Sequence, residues 1–475
     1  MTNWETVIGL EVHCQLSTKT KIFCGCSTQF GAPPNQNTCP VCLGMPGVLP
    51  VLNEKVVEYA VRVGAALGCQ VQTTSTFARK NYFYPDLPKG YQITQYDAPI
   101  CEGGRIELDV GDAIKTIRLT RIHLEEDAGK SVHLGAAATS HVDFNRAGTP
   151  LIEIVSEPEL RSAEEASAYL KELRNIVRYL EVCDGHMEQG SFRCDANVSV
   201  RPVDTAAFGT RVELKNLNSF NHVKRAIDYE AERQIALLES GGTVVQETRL
   251  WDDARQLTRS MRSKEEAHDY RYFPEPDLPV LTLGPSLLEN SRNQLPELPR
   301  QRRTRYETEL ALSRYDADVL ISEKELSDFF EAVVATGVNP KIACNWVTVE
   351  LRGRLNADGT GLHESPVSAA DLGEILGRIA EGKLSGKLAK KVFTRVYDGE
   401  SVQEVLAQIG EQVTDPKAID ALVEELIDAN PEKAAAFRNG KQQLLGFFMG
   451  QAMKKSGGKV NPQALRETLA RKLGE

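Results

Sequence analysis

From Thr6 to Leu16 the chain alternates: Ile8, Leu10, Val12, Cys14 and Leu16 fall on one side, and Val7, Gly9, Glu11, His13 and Gln15 on the other. A period of two is that of a half-buried β-strand, so Glu11 and His13 are predicted to project together from its second face. Further strand-like runs cover 116–124, 151–155, 192–200 and 211–215. Helical spacing interrupts them. One helix is predicted to open at Asn53 and end at Gly68. A second follows the capping box Ser162-Ala163-Glu164-Glu165 and carries Ala166, Tyr169, Leu170, Leu173, Ile176, Val177 and Leu180 on one face. A third runs from about Phe220 to Ser240 and stops at Gly241-Gly242. Beyond Pro296 and Pro299 the strand signals cease, which predicts a domain boundary. Ser322-Glu323-Lys324-Glu325 reads as another capping box, ahead of short helices. Tyr397-Asp398-Gly399 marks a further break before a small helical tail.

At 475 residues the chain is long enough for two to four domains. The N-terminus has neither a basic n-region nor an apolar h-region, and no apolar run is long enough to span a bilayer, so the expectation is a cytoplasmic protein. Its ten cysteines then read as thiols or metal ligands, because the cytosol is reducing. The net charge of −10 argues against a general nucleic-acid binder. The charge is uneven, however. From Lys441 to Glu475 there are seven Lys or Arg against two Glu, and Lys383 to Arg395 holds five basic residues and no acid. Such a tail either meets a phosphate backbone or is simply a solvated helix face.

Two groups of residues carry chemistry. Cys24-x-Cys26 and Cys39-x-x-Cys42 lie twelve residues apart in a stretch rich in Gly, Pro and Asn. Paired thiolates at this spacing can close a tetrahedral, structural zinc site, whereas the other six cysteines suit buried positions. Glu11, His13, Glu126 and Glu153 form the second group. Carboxylates with a neutral imidazole suit a divalent cation. A lone strand histidine is more often a hydrogen-bonded core residue, but here a carboxylate shares its face. Glu153 sits in an apolar run, where an unpaired carboxylate would be costly. The pattern does not decide between Glu125 and Glu126. Gly129-Lys130-Ser131 suggests a phosphate loop, but that motif requires a glycine where Leu124 stands, so it is rejected. Arg79-Lys80-Asn81 and Glu213-Leu214-Lys215-Asn216-Leu217-Asn218 offer donors for phosphate or ribose, or are polar surface turns. Tyr82-Phe83-Tyr84-Pro85-Asp86-Leu87-Pro88 is echoed by Tyr272-Phe273-Pro274-Glu275-Pro276-Asp277-Leu278-Pro279. Both are stiff aromatic–proline–acid loops that either pack their rings or wall a nucleotide pocket.

Taken together, several stretches closely resemble the B-type subunit of the aspartyl/glutamyl-tRNA amidotransferase family, over essentially the whole chain. They are Val7–His13, Arg79–Asp86, His123–Ser131, Asn145–Glu153, Arg193–Asn197 and Asp269–Asp277, with Gly446-Phe447-Phe448-Met449-Gly450-Gln451 in the tail. The resemblance implies an α+β fold: a mixed-sheet, cradle-shaped catalytic domain over 1–295, a helical domain over 296–404 and a basic, tRNA-binding helical tail over 405–475. It implies ATP-dependent phosphorylation of the side-chain carboxylate of misacylated Glu-tRNA(Gln) or Asp-tRNA(Asn). Ammonia then displaces the phosphate. It further implies Mg2+ held by His13, Glu126 and Glu153 with Glu11 alongside, the match favouring Glu126 over Glu125. The donors expected at ATP are Lys80, Asn81, Lys130, Lys215 and Asn216. Some members of the family lack the four cysteines, so zinc is a support and not part of the reaction. The chain shows no amidase signature of its own, so the resemblance implies an amidase (glutaminase) subunit as ammonia source and a small third subunit in a heterotrimer. It implies no membrane. Two rivals are a non-catalytic, zinc-bearing tRNA-binding adaptor and a stand-alone ATP-dependent amide ligase.

Overall fold

The computed structural model describes residues 3–474 apart from 112, 134–138, 264–266, 410–414 and 458–459. The chain divides into two compact units, Met1–Pro299 and Arg300–Glu475. The first is built on a large mixed sheet and the second is helical, which makes the fold α+β.

The alternating N-terminal segment forms the strand Trp4–Gln15. It lies near the middle of a 13-stranded sheet, between Phe192–Pro202 on one side and Pro150–Ser156 on the other. Next to Pro150–Ser156 come Ala113–Glu126, Tyr91–Thr94, Ala78–Asn81 and the short Phe273–Pro274. On the other flank Phe192–Pro202 is followed by Val212–Lys215, Glu247–Asp252 and Leu257–Ser263. These neighbours pair antiparallel except Val212–Lys215 with Glu247–Asp252, which are parallel. The two echoing aromatic–proline loops turn out to be neighbours, because Arg79 pairs with Phe273 and Ala78 with Pro274.

One face of the sheet is apolar. Ile8, Leu10, Val12 and Cys14 are buried there with Ile122, Leu124, Ile152, Ile154, Ala196 and Val198. Two long helices cover it. Ala163–Tyr179 presents Ala166, Leu170, Leu173 and Val177, and Phe220–Glu239 presents Val223, Ala226 and Ile227. Both begin where a hydroxyl satisfies the first orphan amides. Ser162 accepts from the Glu165 N–H at 3.1 Å, and Ser219 from the His222 N–H at 3.1 Å. Glu165 returns its carboxylate to the Arg161 N–H at 2.7 Å, one residue earlier than a capping box would. The helix Glu54–Ala66 is capped by Asn53 as expected.

In the second unit Phe330, Val347, Leu372, Ile375 and Val392 share one core. Ser322 is not the expected N-cap. It ends the helix Arg314–Ile321 and donates to the Val319 carbonyl, while Lys324–Val334 begins at Glu323 without a side-chain cap. The helix Val402–Ile409 packs Val402, Val405 and Leu406 into this same core, so a division at 404/405 would cut a helix. A separate small core around Ile419, Val423, Phe448, Leu465 and Leu469 follows. Its basic residues are partly matched: Lys455 pairs with Glu425, Arg471 with Asp420 at 2.5 Å and Lys472 with Glu424 at 2.6 Å. Lys459 lies outside the described residues. Among the described residues no helix is long and apolar enough to cross a membrane.

Leu173 is fully buried between its helix and the sheet. Leu173→Ala is expected to destabilise the first unit by about 2–5 kcal/mol, from lost transfer energy and the cavity left behind. Urea unfolding followed by the fluorescence of Trp4 and Trp251, in a Trp346→Phe background, measures it.

Candidate active site on the polar face of the sheet

The second face of the same strands is polar, and antiparallel register aligns it. His13 lies opposite Glu153 and opposite Arg193 on its two neighbours, and Glu153 lies opposite His123. Residues directly opposite share a face, so Arg193, His13, Glu153 and His123 form one row across four strands. Glu125, two residues beyond His123, joins them. His13 Nε2 is 3.4 Å from Glu153 Oε2 and 3.6 Å from Glu125 Oε1. His123 Nε2 is 3.2 Å from Glu153 Oε2 and 3.7 Å from Glu125 Oε2. Two carboxylates thus sit between two imidazoles. Burial opposes the imidazolium form of His13, but Glu153 and Glu125 outweigh it and raise its pKa to about 9. His123 is raised by the same carboxylates against the same burial. Burial would raise Glu153, but His123 and His13 hold it well below the usual carboxylate range. One ligand atom each from His13, Glu125 and Glu153 lies within 4.8 Å of the others. Among the described residues His123 Nδ1 is buried without a hydrogen-bond partner. This donor set can hold a divalent cation.

Ion pairs frame the cluster. Asp127 accepts from Arg193 at 2.9 Å and Gln15 at 2.8 Å. Its burial would raise the carboxyl, and Arg193 and Arg146 bring it below the ordinary value. Lys215 donates to Asp195 at 2.6 Å, and Asn197 to Glu11 at 2.9 Å. Burial works against the Lys215 ammonium, yet Asp195, Glu213 and Glu11 raise its pKa. Beside Glu11 opens a cavity of about 610 Å3, lined by Gly9, Ser156, Asn197, Phe208 and Arg211 among others.

The four cysteines converge. Each Sγ of Cys24, Cys26, Cys39 and Cys42 lies within 4.8 Å of the others. Hydrogen bonding from Cys24, against burial, and then the Cys39 backbone N–H and the Lys21 ammonium bring the Cys42 thiol down to about 4. Lys21 is fully buried. Its Nζ is 3.5 Å from Cys42 Sγ and donates to the carbonyls of Asn37 at 2.7 Å and Phe144 at 3.2 Å. Four thiolates this close would repel one another, and a tetrahedral dication removes that repulsion, which fits a structural metal site. The knot borders a second cavity of about 210 Å3 whose wall includes Lys89 and Glu126.

Residues 6–289 match the model of the GatB/GatE catalytic domain, and 328–473 that of the GatB domain. The chain belongs to the GatB/GatE family. The B-type subunit of the aspartyl/glutamyl-tRNA(Asn/Gln) amidotransferase of Solidesulfovibrio magneticus is 54% identical to it over 100% of both chains. The corresponding subunits of Geobacter sulfurreducens and Halorhodospira halophila are 56% and 57% identical, each over 99% of both chains.

Within this GatB/GatE chain the expected ligands His13, Glu126 and Glu153 do not all converge. Glu126 does not face His13 and Glu153; Glu125 does. Glu126 has the parity of the core residues Ile122 and Leu124. At the strand's end its carboxylate turns to Lys89 Nζ at 2.5 Å and the Ile93 N–H at 2.8 Å. Glu11 lies on the same face, one row beyond His13. Of the expected phosphate donors, Lys215 borders this face. Lys80 stands 4.7 Å from the centre of the Tyr270 ring, and Asn81 donates to the carbonyls of Tyr270 and Arg271. Asn216 holds a left-handed turn (φ 67°) and donates to the Trp251 carbonyl. Lys130 is exposed on a separate two-stranded ribbon. Gly129 is needed for packing: a Cβ there would lie 2.9 Å from the Asp86 carbonyl oxygen. A strand follows it, Lys130–His133, so no phosphate loop forms. Residues that sequence reasoning missed are His123, Asp127, Arg193 and Asp195. Their signal was parity with Glu125 or His13, visible only once the strands are aligned.

Elemental analysis of the purified chain is expected to give one zinc per chain, and Cys42→Ser to lose it with local unfolding. Mn2+ binding, read by electron paramagnetic resonance, is expected to weaken in Glu125→Gln by at least the roughly tenfold that even a residue orienting a ligand is worth. Glu126→Gln is expected to keep it.

Proposed function

We propose that the chain activates the side-chain carboxylate of Glu-tRNA(Gln), Asp-tRNA(Asn) or both by phosphorylation from ATP, and passes the acyl phosphate to ammonia. The observation that carries this reading is the row His13–Glu153–His123 with Glu125 beside it, on a solvent-reachable polar sheet face next to a ligand-sized cavity. The relatives' name supplies the substrate class. Ammonia would come from a partner amidase subunit, with a small third subunit completing the assembly.

A carboxylate is a poor acceptor of ammonia because its leaving group would be oxide. When its oxygen attacks the γ-phosphorus of ATP, ADP leaves and an acyl phosphate forms. Ammonia then attacks the acyl carbon, inorganic phosphate leaves and a proton is lost to solvent. In such transfer, positioning and charge neutralisation supply most of the catalysis. Mg2+ held by His13, Glu125 and Glu153 would neutralise phosphate oxygens. The chain's own residues do the rest. Arg193, fixed by Asp127, and Lys215, fixed by Asp195, present immobilised cations on the same face. His123 holds Glu153 from the far side. The cavity beside Glu11, with Phe208 and Arg211 in its wall, is the proposed seat of the ATP purine and ribose. The adaptor reading would leave this face without a task.

His13→Ala, Glu125→Gln and Glu153→Gln are each expected to lower amide formation by roughly a hundredfold or more, the scale for losing an electrostatic stabiliser. The assay follows phosphate release from ATP with misacylated tRNA, saturating Mg2+ and free ammonium. Near wild-type rates in all three variants would refute the reading. Glutamine hydrolysis by the partner is expected to survive them.

Truncation after Ile409 removes the small third core and leaves the second intact. It is expected to weaken tRNA binding and flatten its salt dependence. Because three of the tail's cations already meet carboxylates, the change in slope is expected to be modest.

A further inference from the structure

A second feature borders the carboxylate–imidazole cluster and has no part in the chemistry above. The paired segments Ala78–Asn81 and Phe273–Pro274 bring the two aromatic loops together. Tyr82 meets Tyr270 edge-on at 6.0 Å, Tyr270 meets Tyr272 at 6.0 Å, and Tyr272 stacks flat on Tyr96 at 4.0 Å. The strand that carries Lys80 and Asn81 leads to the cluster through the sheet: Ala78 lies opposite Thr94, and Thr94 lies opposite Glu125 and donates to its carboxylate at 3.5 Å. The outer end of the aromatic run is open. Phe83 is 89% exposed and Tyr84 41%. Between them lies a cleft of about 310 Å3, lined by Asn81, Tyr82, Phe83, Tyr84, Tyr270 and Arg271, with one carboxylate, Asp269, on its wall. Its size is at the lower end of small-molecule sites, which run about 300–1,000 Å3.

Two further observations point to a ligand. Lys80 brings positive charge to the rings, its Nζ lying 4.7 Å from the Tyr270 centroid and 5.9 Å from that of Tyr82, and Arg271 lines the same cleft. Arg271 is held at φ 46°, a left-handed backbone that a long side chain rarely adopts. Asn81 fixes it there by donating to its carbonyl at 2.9 Å. Strain held in place by neighbours, at the rim of a cleft, is characteristic of functional sites. Aromatic faces with interleaved cations are the usual platform for unpaired bases. A lone exposed phenylalanine beside three tyrosines suits a flat, partly polar ring better than an aliphatic side chain.

We propose that this cleft stacks an unpaired purine base, the 3′-terminal adenine of the aminoacyl-tRNA, and so delivers the esterified side chain to the cluster. This rests on the function proposed above. The reaction contains two adenines. The ATP adenine is the weaker candidate, because the cavity beside Glu11 is the larger one, about 610 Å3 against about 310 Å3, and has Asn197 and Arg211 in its wall, whereas the aromatic cleft carries the exposed rings of Phe83 and Tyr84.

Phe83 is exposed enough to remove without harm to folding. With the full-length chain assembled with its partners and free ammonium as donor, Phe83→Ala is expected to raise the KM for misacylated tRNA roughly tenfold. The KM for ATP and kcat at saturating tRNA should stay unchanged, and Phe83→Tyr should behave as wild type. A tRNA ending in 2-aminopurine should lose fluorescence on binding the wild-type enzyme and lose much less on binding Phe83→Ala or Tyr270→Leu. Equal quenching and equal tRNA KM in wild type and both variants would overturn the proposal. A raised KM for ATP alone would overturn it in favour of the ATP adenine. The quenching assay needs no turnover. A wild-type enzyme that quenches the probe but makes no amide would therefore refute the activation chemistry and leave the base-stacking cleft standing.

Discussion

The structure depends on the register of one strand. Trp4–Gln15 is paired on both edges by antiparallel neighbours, and its two faces have opposite chemistry. Since side chains alternate with a period of two, a slip of one residue on either edge would turn Ile8, Leu10 and Val12 to the polar side and carry Glu11 and His13 into the core. Burying those groups without partners would cost several kcal/mol each. The hydrophobic contact with the helices Ala163–Tyr179 and Phe220–Glu239 therefore fixes the register, and the register aligns the site.

Charge is balanced locally across the polar face. Asp127 is matched by Arg193 and Arg146, and Asp195 by Lys215, while Glu126, turned off this face, is matched by Lys89. Glu125 and Glu153 are different, because the basic groups beside them are two imidazoles, with the Thr94 hydroxyl also donating to Glu125 at 3.5 Å. The two carboxylates favour protonated imidazoles here, but an imidazole, unlike Lys or Arg, can give up that proton to a dication and leave both carboxylates to it. That is the arrangement a dication would complete, and it separates this cluster from the structural ion pairs around it. The cysteine knot solves a like problem with thiolates, and Lys21 links it to the loop that carries Phe144.

Much of this was legible in advance. The strand at 6–16, the helices opened at Asn53, after Ser162 and at about Phe220, and the convergence of the four cysteines all appear in the structure. Each rests on a local rule: alternation, helical spacing, capping or short-range ligand spacing. Ser322 shows the limit of such rules. Its pattern is that of an N-cap, yet its hydroxyl bonds back to Val319, because the preceding helix extends to Ile321. The acidic pair at 125–126 shows another. The pattern left Glu125 and Glu126 open and the resemblance favoured Glu126, because a strand end can twist either carboxylate inward; the pairing of Thr94 with Glu125 and of Glu126 with Lys89 separates them.

The amino-acid sequence by itself determined which segments are two-faced, where they begin and end, and which residue types stand ready for metal and phosphate chemistry. Those are properties of neighbours in the chain, set by backbone geometry and side-chain polarity. The tertiary structure alone decided which distant residues meet. It placed His123 beside Glu153, put Lys89 on Glu126, set the echoing loops at 82–88 and 272–279 side by side, and paired the tail's cations with the helix Pro416–Asp428. Pairing across strands depends on a register fixed by the whole core, and no local pattern carries that information.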